Sequence, residues 1–437
     1  MGWATSQCFR LSAKSGSFYE MFFSVNFISY SLSYNLEMII INHKTSLNSL
    51  EDAYSQFDDD AVIDIKIVKS FSNDDFGLTP AIIQFFATWL TSSDGKIVFD
   101  LKVDNIEDIN LQFAEKHFED YYRLDFVFTC VTYCWSRSIE DNSGQNIKPL
   151  LRFMNEKYHR KMRRQDINGF QTILTCFDHL GNEKGLLNSF YIDDEFIDNE
   201  LNFDTAIDKS LRQVSSLNIT LRRSNFIPLR QDIVDVIFEL VKNTHDWARL
   251  DASDRPIKPS SRGLYMKMHR RTKISFLDIY HDYAGLSGFF TSNYFEPNTN
   301  SELYFLELSV FDTGVGFVNR FTERPTSEFS PEEQVEVIKE CMLVNNTSAK
   351  GLLGKVKGRG LDRIMRTLDE KGFFWLRTGN VSIFRNLVHN RYRPDGSTAD
   401  IQLFDWKENR DHDFTSLYLV KGSVVTLIVP LTNRANV

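Results

Sequence analysis

No stretch of this 437-residue chain is apolar over the roughly eighteen consecutive positions that a membrane-spanning helix requires. The apolar segment around Phe22–Ile28 is broken by Ser24 and Asn26, so it lacks the clean hydrophobic stretch and small-residue cleavage site of a signal peptide. Met1-Gly2 with Ser6 fits the loose myristoylation pattern, but Trp3 is a bulky neighbour for it, and the match is discounted. Cysteine is sparse. The five cysteines (8, 130, 134, 176 and 341) are an odd number without zinc-type pairing, and reduced thiols in a cytoplasmic protein are expected. An excess of positive charge is missing too: 50 Lys and Arg against 59 Asp and Glu give a net charge of −9, which argues against wholesale nucleic-acid binding and leaves only a local basic patch open.

What is present describes a folded protein, with 42% hydrophobic and 25% charged residues. The 37 phenylalanines are enough for extensive aromatic packing. The length exceeds one ordinary core, so two domains joined by a connector are expected.

Residues 1–35 show no sustained period and are expected to be a disordered lead, or an upstream start with Met38 opening the better-formed chain. From there strands and helices alternate: strands at Glu37–Asn42, Val62–Val68 and Lys96–Leu101, and helices at Thr79–Leu90 and about Leu111–Tyr121. The apolar run Phe126–Trp135 follows, with Cys130 and Cys134 at helical spacing and read as packing residues. The alternation predicts a small α/β domain over 36–138, regulatory or partner-binding because no catalytic constellation occurs in it. Its order of elements is similar to that of STAS-type regulatory domains. Residues 139–202 read as a partly helical connector. Within it Lys157–Arg164 holds five Lys and Arg in eight positions, read as a solvated helix face paired with acids such as Glu156 and Asp166.

Chemistry concentrates in the second half, 203–437. A helix over Asp204–Leu211 and a short strand over Asn218–Arg223 are expected to lead into 231–250, where Ile233, Val236, Ile237, Leu240 and Val241 form an apolar stripe. On another face Glu239, Asn243 and Asp246 stack over two turns, with Lys242 alongside. An acid, an amide and a second acid in line suit a Mg²⁺–phosphate site, since Mg²⁺ takes few hard oxygen ligands and keeps waters that carboxylates orient. The interval 247–311 predicts a hairpin, from Gly263–Met268 and Lys273–Tyr280, plus an inserted loop. His245 is read as a helix-surface residue and His281-Asp282 as a turn. A β-rich run, Leu303–Phe317, then ends in Asp312, followed by Gly314 and Gly316 in a D-x-G-x-G turn where backbone must turn sharply or approach a ligand. A carboxylate there can accept a hydrogen bond from an exocyclic amine such as adenine N6. Ser330-Pro-Glu-Glu begins a helix to about Leu343. Next comes a basic loop with glycines 351, 354, 358 and 360 and with Lys350, Lys355, Lys357 and Arg359, feeding a helix with Leu361, Ile364, Met365 and Leu368 on one side, a natural anion site. A hairpin over Phe373–Thr378 and Val381–Arg385 and a closing strand over Leu417–Pro430 complete the chain.

In this order the three motifs resemble those of the GHKL ATPase superfamily, which includes gyrase, the heat-shock chaperone, histidine kinases and the mismatch-repair clamp. Glu239-x-x-x-Asn243 with Asp246 looks like its N-box, Asp312-Thr-Gly-Val-Gly316 like its first glycine box and Gly358-Arg-Gly-Leu361 like its second, with the preceding loop as an ATP lid. The resemblance covers about residues 205–432. It implies an α/β chain of α+β sandwich type whose C-terminal domain is a Bergerat-type fold, a mixed sheet with helices on one face. It also implies ATP and Mg²⁺ as ligands. By that resemblance Glu239 is the general base, Asn243 the Mg²⁺ ligand and Asp246 a support acting through waters. Asp312 holds adenine, Gly314 and Gly316 admit the base, and Gly358, Gly360 and Leu361 cradle phosphates. Lys355 or Lys357 reaches the terminal phosphate, and Thr426 of the closing strand faces the nucleotide.

Two positions depart from the pattern: Thr244 stands where a small Ala is usual, and Asp362 puts a negative charge just after the phosphate turn. Nothing resembles a histidine-kinase phosphoacceptor segment. The implied function is a soluble Mg²⁺-dependent ATPase whose nucleotide state moves the lid and changes association with a protein partner or a second copy. The alternatives are a kinase of the histidine or anti-sigma serine type acting on a separate protein, a non-hydrolysing ATP sensor, and, using Lys157–Arg164, a nucleic-acid-linked clamp.

Overall fold

The computed structural model describes residues 37–57, 62–71, 75–104, 109–166, 169–343, 360–393 and 397–434. Cys8, the Met1-Gly2 pattern, and Lys350, Lys355, Lys357, Gly358 and Arg359 lie outside them.

Four short strands, β1 (Glu37–Ile41), β2 (Ile63–Ile67), β3 (Ile97–Phe99) and β4 (Ile139–Asp141), form a parallel sheet in sequential order. The helices α1 (Leu47–Tyr54), α2 (Leu78–Ser92), α3 (Leu111–Tyr122) and α4 (Asp125–Tyr133) make its connections, and α5 (Lys148–Arg163) follows. The second sheet has seven strands: β5 (Gln171–Cys176), β6 (Arg262–Thr272), β7 (Glu302–Asp312), β8 (Phe373–Thr378), β9 (Val381–Asn386), β10 (Phe404–Asp405) and β11 (Ser423–Pro430). Their spatial order is β10-β9-β8-β11-β7-β6-β5, and every neighbouring pair is antiparallel, where a mixed sheet was expected. The described residues thus form a mixed α/β structure with a four-stranded parallel sheet and a seven-stranded antiparallel sheet, besides two two-stranded antiparallel ribbons. β5 comes from the stretch read as connector, and β4 from just past residue 138.

Two faces of the seven-stranded sheet are covered differently. On one lie α7 (Ile227–Trp247), flanked by α6 (Glu200–Val214) and by α9 (Gly360–Leu368), while α8 (Pro331–Met342) precedes α9 in the chain. Ser330 starts α8 with a capping box shared with Glu333. On the other face lies α2, from the N-terminal half. Every residue from Leu78 to Leu90 is buried, as expected of a helix that is apolar all round and covered on both sides. Its Gln84 amide donates to the carbonyls of Arg377 and Gly422 at 3.2 and 3.4 Å, and its Trp89 indole donates to the Ile63 carbonyl at 2.7 Å. α2 therefore bridges the two sheets, and one buried core runs through both.

Glu307 anchors this bridge. It is fully buried in the middle of β7, and its Oε1 accepts the Gly77 N–H at the start of α2 (2.9 Å) and the Ser309 hydroxyl (2.9 Å). Its Oε2 lies 2.8 Å from Nε2 of His269, whose ring packs 4.0 Å from Phe76.

Two sequence expectations change. Asn218–Arg223 is helical rather than a strand: Asn218 caps a turn by accepting the Leu221 N–H, and the helical run continues into α7. Lys273–Ile279 is a helix capped by Thr272, so β6 is not followed by a hairpin partner there; a second helix, Ala284–Thr291, fills the insertion, and β6 pairs with β7 instead.

Candidate functional site

Leu308 and Val429 of the sheet line a crevice with Ile233 and Val236 of α7, so even-numbered β7 residues and odd-numbered β11 residues face that helix. Asp312, at the end of β7, shares that face. The buried stripe of α7 leaves Glu239, Asn243 and Asp246 on its less buried side, where Glu239 and Asn243 meet the start of α9. Glycine is what lets the pieces meet. A Cβ placed on Gly360, the first residue of α9, would stand 2.9 Å from Glu239 Oε2 and 3.2 Å from Asn243 Nδ2. One on Gly314 would stand 2.8 Å from the Cα of Ala248, the residue that caps the C-terminus of α7. Gly316 has φ of +80° and ψ of 168°, a conformation essentially confined to glycine. Both glycine motifs therefore close onto one helix.

Asp312 Oδ1 accepts the Gly314 N–H at 2.8 Å. Burial pushes the Asp312 carboxyl up to about 6, against the opposing pull of that N–H and of Arg262. Glu239 is also raised, mainly by burial, while Arg363 and Lys242 hold it down and Glu200 adds to the rise. Asp362, just after Gly360-Leu361, faces inward: it accepts the Tyr392 hydroxyl and Arg366 Nε–H, both at 2.8 Å. Thr244 is buried and donates its hydroxyl to the Val241 carbonyl at 2.8 Å, away from the polar face.

Thr426 does not belong to this site. Its hydroxyl lies 2.9 Å from that of Ser309, on the sheet face covered by α2, and a Cβ at Gly77 would come within 3.1 Å of it. The strand alternation that points Leu427 at α7 points Thr426 the other way. Leu361 is buried, so any contribution to a phosphate cradle comes from its backbone.

His245 is packed rather than superficial. Its ring stacks 4.6 Å from Phe196, and its Nδ1 accepts from the Arg249 guanidinium at 3.3 Å and lies 2.7 Å from the Tyr191 hydroxyl. Burial beside Arg262 and Arg249 pushes it down to about 4. Arg262, buried and in register with Asp312, forks onto Asp178 and donates to the Tyr191 hydroxyl. Asp178, and Tyr191 and Phe196 on a short antiparallel ribbon, come from a stretch distant in sequence from His245 and Arg262, and no local pattern marks them. Two of the five cations of the basic run are paired, with acids other than those expected: Lys157 with Glu115 at 2.9 Å and Lys161 with Asp125 at 3.3 Å, while Asp166 pairs with Lys209.

Among the described residues no group of three or more His, Cys, Asp or Glu side chains could hold a metal ion. The donor set at α7, one amide beside carboxylates, suits a Mg²⁺ ion that keeps waters and takes oxygens from a phosphate substrate. None of the described helices is long and apolar enough to cross a membrane. Comparison with protein families, curated proteins and solved structures finds no match to this chain.

Proposed function

We propose that the chain binds ATP in a GHKL-type site on α7 and hydrolyses it. The observation that carries this reading is the approach of Gly360 to Glu239 and Asn243 at one end of the polar face and of Gly314 to Ala248 at the other. A packed helix has no need of two glycine-dependent contacts at its polar ends, whereas a nucleotide lying along it does. Asp312 would take the adenine amine, and backbone N–H groups at the start of α9 would take phosphate. Mg²⁺, held by the Asn243 amide and by the substrate's phosphates, would neutralise phosphate charge. Glu239 would accept the proton of the attacking water, and its raised affinity for protons favours that task. α2, fastened to β7 through Glu307, ties the parallel sheet to the strand that ends in Asp312, a direct route from nucleotide to a partner or a second copy of the chain.

Phosphate release from ATP by wild type and Glu239→Ala, with Mg²⁺ and with EDTA, tests the reading. Mg²⁺-dependent release lost in the variant supports hydrolysis. Binding without release in either protein turns the reading toward phosphoryl transfer to a separate protein or toward a sensor.

A further inference from the structure

Three carboxylates from two helices surround one guanidinium beside the polar face of α7. Arg363, one turn into α9, pairs through Nη1 with Glu200 of α6 at 2.7 Å and with Glu239 at 3.6 Å, and through Nη2 with Asp235. Asp235 and Glu239 are one turn apart on the same side of α7. The Arg363 side chain is one-third exposed and that of Glu200 41%, but those of Asp235 and Glu239 are 13% and 20%, so on the α7 side a fixed charge counts for more than at an open surface. Surface helices do not need such an arrangement. A single Arg–Asp pair would dock α9 on α7; here the fork reaches past Asp235 to one oxygen of the carboxylate whose other oxygen Gly360 approaches.

We propose that Arg363 is a positioning residue for Glu239: with Gly360 it fixes the carboxylate's place between α7 and α9, while Glu200 and Asp235 fix the guanidinium. The inference rests on the reading of Glu239 as the base. A planar fork with five donors fixes several carboxylates in one geometry; a lysine ammonium, a point charge with three rotatable donors, leaves that geometry loose. A misplaced base slows the chemical step and leaves nucleotide binding alone, because Asp312, Asn243 and the backbone at the start of α9 do the binding.

The experiment compares kcat for ATP hydrolysis and the calorimetric Kd for Mg-ATP in wild type, Arg363→Lys and Arg363→Gln. The expected order of kcat is wild type, then Lys, then Gln, with Gln slower than wild type by at least about tenfold and Kd constant within about twofold. Should Arg363→Gln fail to fold, the Lys variant alone reads the same split between kcat and Kd. Wild-type kcat in the variants, or a loss carried wholly by Kd, overturns the role of Arg363 while a Glu239-dependent wild-type turnover keeps the site. Turnover that persists in Glu239→Ala overturns both.

Discussion

Gly360 and Glu239, 121 positions apart in sequence, are so close that a single added methyl group on the glycine would stand 2.9 Å from the glutamate's Oε2. The start of α9 and the polar face of α7 are one surface, and glycine is the residue that permits it. Gly360→Ala forces Glu239 to turn away or α9 to lift. The expected result is a loss of ATP turnover of at least about tenfold with a modest stability cost, about 1–2 kcal/mol. Turnover and urea midpoint of the variant check both parts.

Asp312 supplies a pH dependence. Burial raises its carboxyl to about 6, so below that pH it carries a proton and is a poorer acceptor. A ligand N–H that bonds to the ionised form releases that proton on binding. Affinity for ATP should therefore weaken as pH falls through about 6 and level off above about 7. Calorimetry in two buffers of different ionisation enthalpy near pH 6 should show the proton release, and Asp312→Asn should abolish it.

His159 acts on folding rather than binding. Its ring lies beside Phe177, its Nδ1 is buried without a hydrogen-bond partner, and burial with Arg163 and Lys184 nearby pushes it down to about 4. The unfolded chain takes up the proton near the ordinary value of 6.5, earlier than the folded one does. A base with a lowered folded-state pKa costs stability as pH falls, so this contribution is intact above 6.5 and is lost between 6.5 and about 4. His159→Phe should flatten that part of a urea-midpoint profile against pH.

Glu307 tests the bridge between the sheets. Removing its carboxylate leaves the Gly77 N–H, the Ser309 hydroxyl and the His269 ring without their shared buried acceptor. Glu307→Ala should cost about 3–5 kcal/mol, read from chemical denaturation, and unfolding should remain a single transition because α2 belongs to both sheets.

The sequence carried those parts of the site that obey a short period. Glu239, Asn243 and Asp246 share a face because helical spacing puts them there, and Asp312 ends a strand because a glycine turn follows a β-rich run. The hairpin Phe373–Thr378 with Val381–Asn386 was legible for the same reason, two runs around Gly379-Asn380. The resemblance implies that Thr426 faces a nucleotide, whereas it lies on the side that α2 covers; alternation in β11 says which residues share a side but not which side α7 covers. The strand Gln171–Cys176 is a short apolar run in a polar stretch, and only its pairing with β6 makes it a strand. Arg363 and the Asp178–Arg262 pair depend on contacts across many residues, which no local pattern encodes. Asn218 signalled a helix cap as readily as a strand start, and the capping hydrogen bond decides it.

The central claim, that α7 is the floor of a nucleotide site, is tested most directly by calorimetric titration of Mg-ATP into wild type and Asn243→Ala. The account predicts one site per chain in the wild type and no measurable binding in the variant, with both proteins equally folded. Equal affinity in the two, or no binding by either, would contradict it.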